Sequence, residues 1–253
     1  MADRDRATVV TYAVLLLVTA IAWVQVVSSA LTPDPMQGMY MPPTIVDGLI
    51  YVAGWTVMMA AMMLPSAMPM IGLYAATRQR ADGVPRKIVL VALFTLVYLG
   101  VWVATGVPMY LASTLLTGSD ARSLGYGIAA VLVVAGLFQV SSLKQMCLQH
   151  CRSPVGFFLG HWREGWRGSL ALSWSHAMYC VGCCWALMVV LVVAGAMGLA
   201  WVLLVSAAVA AEKLLPGGKW IARGVGVALV LLGAFVAIRP EAAAMLRAGG
   251  HSM

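Results

Sequence analysis

The sequence predicts an all-α protein, a polytopic bundle of helices that crosses a lipid bilayer about seven times. Three observations predict it. The 253 residues are 62% hydrophobic and only 10% charged, with mean hydropathy +0.92, whereas soluble domains carry about 25% charged residues. Apolar runs near the roughly 20 residues needed to span a bilayer recur along the chain. The basic residues fall between these runs, and mostly between alternate ones, as membrane orientation requires.

The runs lie approximately at 8–30, 48–75, 88–113, 124–142, 169–194, 197–212 and 221–238. The first follows MADRDRATVV, which has charge but no small-residue cleavage site after a short apolar core. A retained span is therefore expected, not a removed signal peptide. The second holds WTVMMAAMMLPSAMPMI, with Pro65 and Pro69 inside the run, where each removes a backbone donor and favours a kink. The fifth and sixth are separated only by AGAMG, so they read as a tight hairpin or one interrupted element. The sixth is short, which leaves the count between six and eight crossings. With the N-terminus in the cytoplasm, inner segments hold Arg4, Arg6, Arg78, Arg80, Arg86, Lys87, Lys144, Arg152, Arg163, Arg167, Lys213, Lys219 and Arg223. Outer segments hold Arg122, Arg239 and Arg247. This accounts for all 16 basic residues, and it predicts a multi-pass protein of a bacterial inner membrane, N-terminus inside. Residues 1–253 read as a single membrane domain.

The net charge of +7 is spread over loops, so nucleic acid is not an expected partner. The bilayer is. No phosphate-binding loop is present, which argues against nucleotide-driven pumping.

Sulfur dominates the remaining signals. Met58 and Met62, like Met59 and Met63, are four apart and share a helix face. Filling irregular gaps in a helix interface is the plainer use of methionine. The density of Met58 to Met70 beside two prolines also fits a neutral, soft ligand set suited to Cu(I). Met36, Met39 and Met41, in MQGMYM of the loop between the first two runs, are spaced like an outer copper-capturing motif. In YCVGCCWALM, Cys180, Cys183 and Cys184 form one stripe with His176 and Met188, about 18 Å into the span and so near the midplane. Metal binding, thiol redox chemistry and simple packing all remain open for them. In SSLKQMCLQHCRSP, Cys147 and Cys151 are i,i+4 with His150 beside them. Flanking Lys144 and Arg152 are expected to lower the thiol pKa. Such a pair can hold a soft ion in two-coordinate fashion.

MMAAMMLPSAMP, FQVSSLKQMCLQHCRSP and YCVGCCWALM, the last followed by AGAM and AEKLLPGGKW, together resemble a bacterial family of metal-binding integral membrane proteins. One branch includes the membrane copper chaperone of a tyrosinase-type polyphenol oxidase. The resemblance runs from about residue 48 to 220. It implies functional positions at Met62, Met63 and Pro65; at Lys144, Cys147 and Cys151; at Cys180, Cys183, Cys184 and Trp185; and at the acidic–basic pair Glu212 and Lys213. His176 and Gly198 depart from the pattern, where a small residue and Asn are expected. His176 is therefore either an idiosyncratic ligand or a packing residue.

The expected function is a membrane-embedded copper chaperone, not an enzyme. It binds Cu(I) and delivers it to a client such as a copper oxidase. Glu212 reads first as an ion-pair partner for a nearby Lys or Arg. The alternatives are a membrane thiol-disulfide oxidoreductase working through the Cys-x-x-Cys pair, and a structural accessory subunit of a membrane complex.

Overall fold

The structure, a computed structural model, describes residues 2–32, 44–78, 84–117, 120–161, 165–195 and 198–248. Among the described residues there are ten helices and no strand. They are α1 (Ala2–Leu31), α2 (Ile45–Arg78), α3 (Val84–Thr117), α4 (Ala121–Val140), α5 (Ser142–Arg152), α6 (Pro154–His161), α7 (Gly165–Val193), α8 (Leu199–Leu214), α9 (Gly218–Ile238) and α10 (Ala242–Ala248). The all-α polytopic expectation is met.

Six helices are long and apolar enough to cross a membrane: α1, α2, α3, α4, α7 and α9. The expected sixth run becomes α8, whose 16 residues reach only ~24 Å, short of a ~30 Å hydrocarbon core. The loop signals act as caps. Thr44 N donates to Asp47 Oδ2 at 2.9 Å while Asp47 N donates to Thr44 Oγ1 at 3.2 Å, a reciprocal pair that satisfies backbone donors at the start of α2. Asp120 accepts from Ser123 N at 3.0 Å to open α4. Backbone and side-chain hydrogen bonds from Ser123 hold its carboxyl below the ordinary 3.8. Despite Pro65 and Pro69, α2 runs unbroken.

Packing centres on α7. Of its apolar stretch 67% is buried, against 17% for α1. It lies along α3, which pairs with α2, and α1 covers α2. Among the described residues the most extensive helix pairing is that of α4 with α9. A Cβ on Gly136 would sit 2.6 Å from Gly226 O, and one on Gly226 would sit 2.8 Å from Gly136 O. Only glycine permits this approach, the small-residue mode of membrane helix packing.

Two corners position the cysteines. Ser141 ends α4 and begins α5: its hydroxyl donates to Phe138 O at 2.6 Å and accepts from Lys144 N at 3.2 Å. With backbone ψ of 154° at Ser141, the chain leaves the α4 axis there and α5 lies down on α7 and α8. The second corner follows α7, where Gly195 adopts φ 97°, a left-handed conformation that favours glycine. The hairpin then returns α8 along α7.

Candidate metal centre

On α5, Cys147 and Cys151 occupy one face, and that face meets α7. Cys151 Sγ lies 3.8 Å from Cys183 Sγ. Cys147 Sγ lies 3.1 Å from where a Cβ on Gly182 would stand, so the glycine inside the Cys-x-x-Cys motif is what lets α5 approach. On α7, Cys183 Sγ and Cys184 Sγ both donate to Cys180 O, at 3.1 and 2.9 Å. This turns two thiols back along their own helix. The two cysteine motifs are thus one cluster.

Cys180 is the polar centre of that cluster. Lys213 Nζ donates to its Sγ at 2.9 Å, and the Tyr98 hydroxyl lies 3.1 Å from the same sulfur. Lys213 Nζ also reaches Ser66 Oγ at 3.3 Å and Met63 Sδ at 3.9 Å. Tyr98 OH donates to Met63 O at 3.4 Å. Residues of α2, α3, α5, α7 and α8 therefore converge on one place.

The adjacent ion pair has a supporting role. Lys144 Nζ meets Glu212 Oε2 at 2.6 Å, with both side chains buried. Gln139 Nε2 donates to Glu212 Oε1 at 2.8 Å. The expected pairing of Glu212 with a basic residue is what the structure contains, and it ties α5 to α8 and α4. One expectation changes as a result. Lys144 is turned to Glu212 and Arg152 to the carbonyls of Leu215 and Pro216, at 2.7 and 3.0 Å. Burial pushes the Cys147 thiol up, Cys183 adds to the rise, and Lys144 only opposes it.

Lys213, in the last turn of α8, reaches Cys180, which stands near the middle of α7. The Lys213 side of the cluster faces the α8–α9 corner. That corner is the basic end: Lys219 and Arg223 lie over the Trp220 ring at 5.7 and 4.8 Å.

The remaining candidates are dispersed. Met58 and Met62 are buried in the core with Met63. His150 stacks on Tyr179 with centroids 4.3 Å apart, its Nδ1 2.8 Å from Met146 O. His176 is buried among the rings of Tyr98, Phe157 and Phe94, at 5.7, 5.7 and 6.4 Å. Met36, Met39 and Met41 lie outside the described residues. No group of three or more described His, Cys, Asp or Glu side chains is arranged to hold one ion. Sequence reasoning took Lys213 as a topology charge and one half of an acidic–basic pair. Its place in the last turn of the apolar α8 was the available signal for a buried role. Tyr98 and Ser66 gave none.

Fold and site together define a class: a polytopic helical protein with a buried cluster of thiols, one thioether and one ammonium. The family is more particular. The model described as PpoB2, copper chaperone, matches residues 52–236, and the chain belongs to that family. The match bears out the resemblance read from the methionine and cysteine motifs and extends it across α9. No curated protein and no solved structure matches the chain.

Proposed function

We propose that the protein holds Cu(I) within the membrane on thiols of α5 and α7 and passes it to a copper-receiving client, for which a copper oxidase is the chemical fit. The observation that carries this reading is the 3.8 Å separation of Cys151 and Cys183 on different helices. At a metal–thiolate length of about 2.3 Å, sulfurs that far apart subtend about 110° at a shared ion. A linear arrangement needs about 4.6 Å, within reach of a small side-chain rotation. Cu(I) accepts such low coordination and prefers soft donors. With Cys180 and Met63 beside the pair, the ion moves by exchanging one sulfur for the next. His150 serves as an exchange ligand, and Met36, Met39 and Met41 receive or deliver the ion. The asymmetry of basic residues supports a bacterial inner membrane with the N-terminus inside. Carriage of this kind makes and breaks metal–ligand bonds alone, so no catalysis is assigned.

The same proximity favours one competitor, thiol-disulfide exchange, since closure to about 2.05 Å would form a disulfide. Metal analysis of anaerobically purified protein separates the two. Copper is expected in the wild type. It should fall in both Cys180→Ser/Cys183→Ser/Cys184→Ser and Cys147→Ser/Cys151→Ser. Equal copper in both variants would remove the thiols from the site. Quinone-dependent formation of a Cys151–Cys183 disulfide in metal-free protein would instead favour the oxidoreductase.

A further inference from the structure

Lys213 is buried at 7% exposure, and among the described residues no carboxylate forms a salt bridge with it. The nearest acidic side chain in sequence, Glu212, is taken by Lys144. The three protons of the ammonium have three acceptors: Cys180 Sγ, Ser66 Oγ and Met63 Sδ. Lys144 and Glu212 cancel each other and Arg152 is turned to backbone carbonyls on the exposed side, which leaves Lys213, among the described residues, as the buried unbalanced cation in contact with a thiol of the cluster.

We infer that Lys213 is the counter-charge of the loaded site and selects a univalent over a divalent ion. The inference rests on the copper-binding reading above. Two thiolates around a univalent ion carry a charge of −1, and the ammonium brings the assembly to zero. Two thiolates around a divalent ion are already neutral, so the ammonium leaves a net +1 in a medium where an unbalanced charge is costly. A third thiolate would repair that balance, but the described side chains are not arranged for three of them to hold one ion. Each thiol that becomes a ligand releases its proton to water at the basic end of the bundle, and nothing is oxidised. Lys213 has no lone pair to offer as an ammonium, so it acts through its charge on the sulfurs and not as a ligand.

The test is anaerobic equilibrium binding of Ag(I), a redox-inert univalent probe, and of Cd(II) to the full chain in detergent. Wild type is compared with Lys213→Met, Lys213→Gln and Lys213→Arg. Wild type should prefer Ag(I). Both neutral variants should bind Ag(I) more weakly and Cd(II) more tightly, moving the affinity ratio at least about tenfold, or ~1.4 kcal/mol, toward Cd(II). Lys213→Arg should keep the ratio within about threefold. A purely structural lysine would weaken both ions together, and that result overturns the inference. If neither neutral variant folds, the wild type decides: Cd(II) bound as tightly as Ag(I) overturns it. Wild type that binds neither ion refutes the copper site itself, and the inference with it.

Discussion

Replacing Glu212 by Gln tests how the thiol cluster is held together. The change leaves Lys144 with its ammonium fully buried and its partner, now 2.6 Å away, uncharged. Breaking one side of a buried ion pair costs about 3–5 kcal/mol, a large part of the roughly 5–15 kcal/mol that separates folded from unfolded protein. Lys144 belongs to α5 and Glu212 to α8, so the loss falls on the contact that presses Cys147 and Cys151 against α7. Two assays follow it. Unfolding by SDS titration in mixed micelles should show the loss for Glu212→Gln and Lys144→Met alike. A short thiol-specific cross-linker should couple Cys151 to Cys183 less efficiently in both. Lys144→Met/Glu212→Leu removes both charges of the pair and should recover most of the stability. A loss under about 0.5 kcal/mol in Glu212→Gln, the range of an ordinary surface change, would refute the reasoning.

Other expected outcomes follow from the packing and the caps. Gly226→Leu forces a side chain into Gly136 O, 2.8 Å from its Cβ, whereas a Cβ on Gly224 meets nothing within 4 Å. The first should cost more than about 2 kcal/mol and Gly224→Leu should cost almost nothing, read by the same titration. Asp120 has a depressed folded-state pKa, so its cap contribution is complete above the unfolded value and lost as pH falls through the folded one. The difference in melting temperature between wild type and Asp120→Ala should therefore be constant at neutral pH and shrink below about pH 4. His176→Phe should keep both copper and stability, because aromatic rings surround the imidazole. Loss of copper in a folded variant would make His176 a ligand.

The bundle was legible because lipid imposes a simple rule: long apolar helices separated by charged loops. The six helices long and apolar enough to cross a membrane, the hairpin at Gly195 and α5 all follow from apolar length and charge placement. The candidate site was legible by residue type and not by arrangement. Cys151 and Cys183 are 32 positions apart, and nothing local shows that the corner at Ser141 lays one against the other. The partners of Glu212 and Lys213 separated for a helical reason. Adjacent residues point about 100° apart, so one side chain faces α5 and the other faces α7.

Copper K-edge X-ray absorption on anaerobically Cu(I)-loaded protein addresses the central claim most directly. Cu(I) held by sulfur from both α5 and α7 should show two or three sulfur neighbours at roughly 2.3 Å or slightly less. Cys151→Ser and Cys183→Ser should each lower that sulfur number. A first shell of nitrogen and oxygen alone, or a sulfur shell unchanged when both cysteines are replaced, would contradict it.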